Sequence, residues 1–195
     1  MIEIITGTMA SGKSELLIRK ISEDEGEFRV FYPSVDIRTE DGFITSRSGL
    51  KYPAIKIDNS QDILRTIKEH ESSDSLYRLE TIYIDEVQFI TDWVVFFRDI
   101  VNYCLENNIS IIASGLEFDF KGSSFNKMNM FMERADKITR LFSECLFCGD
   151  KRATKILRRV NGLPSEVWED VNILEGDDLE YLPICNCCYI RQYYT

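Results

Sequence analysis

The chain has 195 residues, 44% of them hydrophobic, and a formal net charge of −10 from 33 acidic against 23 Lys and Arg residues. That length supports one sizeable core, or one domain with a small appendage. The acidic balance argues against duplex DNA or RNA as a partner, since that affinity is carried by clustered Lys and Arg. No apolar run reaches the length of a membrane span, and the first residues read as a strand and not as a signal peptide, so a cytoplasmic protein with no membrane partner is expected.

Ile2, Ile4 and Ile5 form a β-branched run, and Leu16, Leu17, Ile18 and Ile21 mark one face of a helix. Between them lies Gly7-Thr8-Met9-Ala10-Ser11-Gly12-Lys13-Ser14, the pattern G-x-x-x-x-G-K-S in the strand–loop–helix setting it requires. Gly7 and Gly12 permit backbone angles that aim successive N–H groups at phosphate oxygens. Lys13 adds a positive charge, Ser14 offers a hydroxyl to Mg²⁺, and the helix start directs its positive end at the anion.

Glu23 to Glu27 is a polar stop, and Phe28 to Tyr32 reads as a second strand ended by Pro33. From Ser34 to Pro53 there is little apolar periodicity, with a turn signal at Asp41-Gly42 and a Ser46-Arg47-Ser48-Gly49 run, which predicts a hairpin or loop. Ala54 to Ile57 is a short strand candidate. Ser60 is a suitable N-cap for a helix carrying Ile63, Leu64 and Ile67 on one face. His70, the only histidine, reads as a solvated residue near that helix's C-terminus and not as a catalytic one.

Thr81 to Ile84 is a buried-type strand that ends in Asp85 and Glu86, the second nucleotide-site element expected beside a phosphate cradle. Trp93, Phe96, Phe97, Ile100 and Cys104 recur at helical spacing over 92–107, which makes the aromatics core and Cys104 a buried thiol. Ile109 to Ser114 is a strand leading into Gly115 to Phe120. Residues 125–134 read as a helix with Phe125, Met128 and Phe131 or Met132 on one side, and Lys137 to Phe142 as a last strand. Alternating strands and helices predict an α/β fold with a parallel sheet covered on both faces.

The composition changes at Cys145. Cys145/Cys148 and Cys185/Cys188 form two C-x-x-C knuckles separated by 36 residues without strong helical periodicity. In an acidic chain of this class, such thiols suit a closed tetrahedral Zn²⁺ site that holds a small subdomain and does no chemistry. Cys187 leaves the fourth ligand open, with the spacing favouring Cys188. Residues 1–143 are thus read as a nucleotide-binding domain, and 144–195 as a zinc-binding lid.

Taken together, Gly7-x-x-x-Ser11-Gly12-Lys13-Ser14-Glu15-Leu16, Asp36-x-Arg38, Ile84-Asp85-Glu86-Val87-Gln88-Phe89, Gly115-Leu116-x-x-x-Phe120-x-x-x-x-Phe125 and the cysteine knuckles resemble the type II thymidine kinases over nearly the whole chain. The resemblance implies a RecA-like P-loop domain followed by a zinc-held lasso. It also implies ATP-dependent transfer of a phosphoryl group to the 5′-hydroxyl of deoxythymidine. Glu86 would be the general base and Asp85 would organise Mg²⁺. Gln88 would assist near the 5′ side, and Asp36 with Arg38 would serve metal and phosphates.

Met9, Phe89, Leu116, Phe120 and Phe125 would wall the base, and Tyr181 would close over the nucleoside. The backbone of Asn172, Ile173, Leu174 and Glu175 would bond the base edge. Arg158, given one extra residue between Cys148 and the Thr154-Lys155 segment, or alternatively Arg159, would be the basic residue after the first knuckle. A homotetramer and feedback by dTTP are implied as well. The chain departs from the family pattern at Thr8, Ala10, Glu117, Ser124, Asn126 and Asp177; glycine is usual at the last two of these. Two other readings stay open on the sequence: a kinase of altered specificity, for deoxyuridine or another nucleoside, and an ATPase or switch whose knuckles bind a macromolecule.

Overall fold

The structure is a computed structural model that describes residues 1–36, 40–73, 76–165 and 179–194. Strand β1 (Ile2–Gly7) leads through the glycine-rich loop into α1 (Lys13–Glu23), followed by β2 (Phe28–Pro33). The hairpin β3 (Phe43–Thr45) and β4 (Lys51–Pro53) fills the segment that lacked periodicity. Next come β5 (Ile55–Ile57), α2 (Ser60–Ser72), β6 (Thr81–Ile84) and a 3₁₀ turn at Val87–Phe89.

The 92–107 helix is interrupted. It consists of α3 (Trp93–Val95), a π-helical segment at Phe96–Val101 and α4 (Asn102–Glu106). Strand β7 (Ser110–Leu116), α5 (Met128–Met132) and β8 (Lys137–Leu141) complete this part of the chain. Helix α5 is shorter than the 125–134 helix expected. Phe125 sits before it, in a turn where Met128 N–H donates to the Phe125 carbonyl.

Six parallel strands form one sheet in the order β5-β2-β6-β7-β1-β8. Side chains alternate between two cores, as the period of a strand dictates. Ile4, Phe31, Ile82, Ile84, Ile111 and Ala113 face α2, the 93–106 helical run and α5, whereas Ile5, Val30, Tyr32, Tyr83 and Ile112 face α1 and the hairpin residue Ile44. A strand buried on both faces needs apolar residues at every position, hence the unbroken β-branched runs.

Two sequence expectations change in α2. Asn59, not Ser60, is the N-cap: its side chain accepts from Gln61 N–H, and Asp62 completes a capping box. Ser60 is engaged elsewhere, its hydroxyl donating to Asp92 at 2.7 Å. His70 is buried and not solvated. Arg29 Nη2 donates to its Nδ1 at 2.7 Å, which leaves Nε2 to donate to the Tyr77 carbonyl at 3.1 Å. The partners lie in β2 and in the loop after α2, so no helical pattern announces them.

After β8, β9 (Lys155–Val160) pairs antiparallel with β10 (Leu163–Pro164) and with β11 (Leu179–Ile184), and α6 (Asn186–Tyr194) closes the described chain. A third core of Cys145, Ala153, Leu157, Ile184, Cys185, Cys188 and Tyr189 holds this module.

Candidate active site

The sheet register sets the site. Gly7 lies level with Leu116, so β1 and β7 finish together, while Ile84 lies level with Ala113, so β6 ends three residues earlier at the same carboxyl edge, where parallel sheets bind ligands. A cavity of about 380 Å³ opens there, lined by Met9, Ala10, Gly12, Lys13, Ser14, Glu15, Asp36, Asp85, Glu86 and Leu116, with Thr45, Ser46 and Arg47 from the hairpin.

The glycine-rich loop has the geometry of an anion cradle. At Gly7, φ is 152° and a Cβ would lie 2.2 Å from the Leu141 carbonyl oxygen, so only glycine fits. Gly12 precedes α1 with φ 87° and no side chain caps the helix, which leaves its first amides pointing toward the cavity end. Lys13 is buried and donates to the Thr8 carbonyl at 2.8 Å, as does the Ser11 hydroxyl. Thr8 is itself tied down, its hydroxyl 2.5 Å from that of Ser143.

Asp85 is buried beside this loop. Its Oδ1 accepts from the hydroxyls of Ser14 and Ser114 and from Glu86 N–H. Burial, then the charge of Glu86, pushes its pKa up to about 6, against the pull of the two hydroxyls and Lys13. A cation here would relieve that penalty, so the carboxylate and serine set fits a hard divalent metal. Glu86 has φ 50°, a left-handed conformation that costs a non-glycine residue about 1 kcal/mol or more and is typical of functional turns. Gln88 is fully buried and does not line the cavity: Nε2 donates to Glu86, and Oε1 accepts from Leu116 N–H at 3.0 Å.

Next to the cavity stands an apolar wall. Leu116, Phe120 and Phe125 are buried in the large core, with Met9, Phe89 and Tyr181 packed against it. Phe89 and Phe125 meet edge to face, ring centroids 5.8 Å apart. Arg158 and Tyr181 pair across β9 and β11. The Arg158 guanidinium lies 5.0 Å from the Phe120 ring, whereas Arg159 stacks on Phe147 of the first knuckle. Arg158 is therefore the one that faces the aromatic wall. The Tyr181 hydroxyl is buried and has no hydrogen-bond partner among the described residues, as suits a group awaiting a polar ligand.

The sulfur atoms of Cys145, Cys148, Cys185 and Cys188 lie within 4.8 Å of one another. Cys187 is exposed and outside the group, so Cys188 and not Cys187 is the fourth thiol of the cluster. Burial raises the Cys145 thiol, but N–H groups of Cys185, Phe147 and Cys148 outweigh it and bring the pKa down to about 6. Burial and the neighbouring thiols push Cys188 up to about 12. Four convergent thiols with one already favouring thiolate fit a structural zinc ion, which would replace their protons.

Arg38 and Asn172, Ile173, Leu174, Glu175 and Asp177 lie outside the described residues. Sequence reasoning missed Thr45, Ser46 and Arg47, which the β3–β4 hairpin carries to the cavity, and Ser114, which donates to Asp85. Only the polar Ser46 to Gly49 turn signal hinted at the first group, and the register of β7 was needed for the second.

A family model described as thymidine kinase matches residues 1–189. Over 192 residues the chain is 33% identical to a thymidine kinase of Mycoplasma capricolum subsp. capricolum, an alignment that covers 97% of this chain and 88% of that relative.

Proposed function

Since the chain belongs to the thymidine kinase family, we propose that it transfers the γ-phosphoryl group of ATP to the 5′-hydroxyl of deoxythymidine, with Glu86 as general base. The observation that carries this reading is the single cavity shared by the Gly7 to Ser14 loop, Asp36, Asp85, Glu86 and Leu116, with the aromatic wall beside it. The loop amides, Lys13 and Ser14 hold the donor phosphates, and Asp36 with Arg38 serves the same side. Leu116, Phe120, Phe125, Phe89 and Met9 enclose the base; Tyr181 and the backbone of Asn172 to Glu175 close over it.

Glu86 accepts the 5′-hydroxyl proton as that oxygen bonds to the γ-phosphorus, and the β–γ bridging oxygen departs with ADP. Family membership implies a divalent metal as well as ATP; Mg²⁺, held by Asp85 and Ser14, would neutralise charge on the phosphates. Zinc in the four-cysteine site would keep residues 144–195 folded as a lid over the 1–143 domain. The tetramer and the dTTP feedback carried by the family resemblance belong to the same proposal, as does a cytoplasmic location; among the described residues no helix is long and apolar enough to cross a membrane.

Glu86→Gln is expected to lower kcat by about 10² to 10⁴-fold while ATP still binds, measured by coupled assay and calorimetry. Near-normal turnover of that variant would overturn the assigned base. A panel of nucleosides with ATP and Mg²⁺ separates deoxythymidine from deoxyuridine as acceptor.

A further inference from the structure

Asn126 occupies a position where the family resemblance implies glycine, and its backbone explains why glycine would suit: φ is 47°, in the left-handed region. Asparagine tolerates that region better than most residues. Its side chain does something glycine cannot do. Nδ2 donates to the main-chain carbonyl of Gln88 at 2.6 Å.

That carbonyl lies in the 3₁₀ turn Val87–Phe89, directly after Glu86. The Gln88 side chain spans the gap between Glu86 and β7, one end on the carboxylate and the other on Leu116 N–H. Strand β7 is bare where the amide rests, because a Cβ on Gly115 would come within 2.6 Å of Gln88 Oε1. On its other side, Asn126 follows Phe125, whose ring packs on Phe89 at the end of the same turn.

We propose that Asn126 is a positioning residue for Glu86: it anchors the turn that carries Gln88, and Gln88 in turn orients the carboxylate. The wall of the base pocket and the proton acceptor thereby form one hydrogen-bonded unit. This rests on the reading of Glu86 as general base. Glu86 is held at φ 50°, so its orientation depends on the groups that fix the turn around it. Loosening the turn leaves both substrates bound but spreads the carboxylate over orientations that miss the 5′-hydroxyl.

The test is a cycle of Asn126→Gly, Gln88→Met and the double variant, with kcat, both KM values and Tm measured for each. Glycine fits the φ of residue 126, so Asn126→Gly retains the fold. It is expected to lose about tenfold in kcat, with both KM values within about twofold of wild type. In the Gln88→Met background the same change is expected to cost less than about twofold, because the path to Glu86 is already cut.

Wild-type kcat in Asn126→Gly, a loss confined to the deoxythymidine KM, or losses that multiply in the double variant would each overturn the inference. Should Gln88→Met fail to fold, the division of the Asn126→Gly effect between kcat and KM decides alone. Glu86→Gln run alongside separates the two levels. If it is inactive while Asn126→Gly is normal, only the positioning role fails; if it is active, the base assignment and this inference fall together.

Discussion

At Asp85, which is 2% exposed, three donors converge on one carboxylate oxygen. Removing one of them leaves the buried group undersatisfied, so Ser114→Ala is expected to cost about 1–3 kcal/mol. The effect should appear as a lower urea midpoint with an unchanged slope, and an unmoved midpoint would show that the hydroxyl contributes nothing. Asp85 and Glu86 were legible in the sequence because they end a β-branched run downstream of the glycine-rich loop. Ser114 and Asn126 were not, because their partners are set by the pairing of Ile84 with Ala113 and by the path of the loop after Phe125. No local pattern encodes either one.

The elements themselves were mostly legible, since alternating runs such as Ile4/Ile5 and Ile82/Tyr83/Ile84 state which face each side chain takes. Helix starts are more ambiguous. Asn59 and Ser60 are both cap types, and the choice turned on Asp62 closing the box and on Asp92 holding Ser60.

Strand β1 carries one charge in its buried run, Glu3, which meets Lys20 of α1 at 3.2 Å and Lys137 of β8 at 3.0 Å. Burial raises its pKa, but the hydrogen bonds and charges of Lys137 and Lys20 win and the pKa is lowered. A carboxylate with a lowered folded pKa stabilises above its unfolded value, about 4.3, and that stability is lost as pH falls through the folded value. Glu3→Gln should therefore cost about 1–2 kcal/mol at pH 7, with the gap to wild type closing below about pH 4. Urea unfolding at the two pH values measures it, and a gap that persists in acid would rule out the ion pairs as its cause.

At the scale of the molecule, the four-cysteine module is not a detached appendage. Tyr189 of α6 donates to the Phe120 carbonyl at 2.7 Å, and Arg158 of β9 lies over the Phe120 ring, so the module grips the aromatic wall from two elements. The glycine-rich loop meets it differently, through the Thr8 hydroxyl, which touches Ser143 just before the first knuckle and donates to the Ala153 carbonyl of the module at 3.5 Å. The two knuckles were legible from spacing alone; the β9–β11 sheet and α6 between and after them were not, because their core is small and built partly from the knuckle cysteines, which leaves little apolar periodicity in the sequence. This asymmetry of contacts gives an ordered response to metal loss. Stripping the cysteine site with a chelator should raise the KM for deoxythymidine before it changes ATP affinity, because Phe120 loses Tyr189 and Arg158 while Lys13 and Ser14 keep their scaffold in β1 and α1. Tyr189→Phe should reproduce part of this without metal loss, with the deoxythymidine KM rising about three- to tenfold for the loss of one hydrogen bond and the ATP KM unchanged. Metal release followed by a chromogenic chelator, with calorimetry for each ligand, tests the order. Full release with an unaltered deoxythymidine KM would mean that the wall stands without the module.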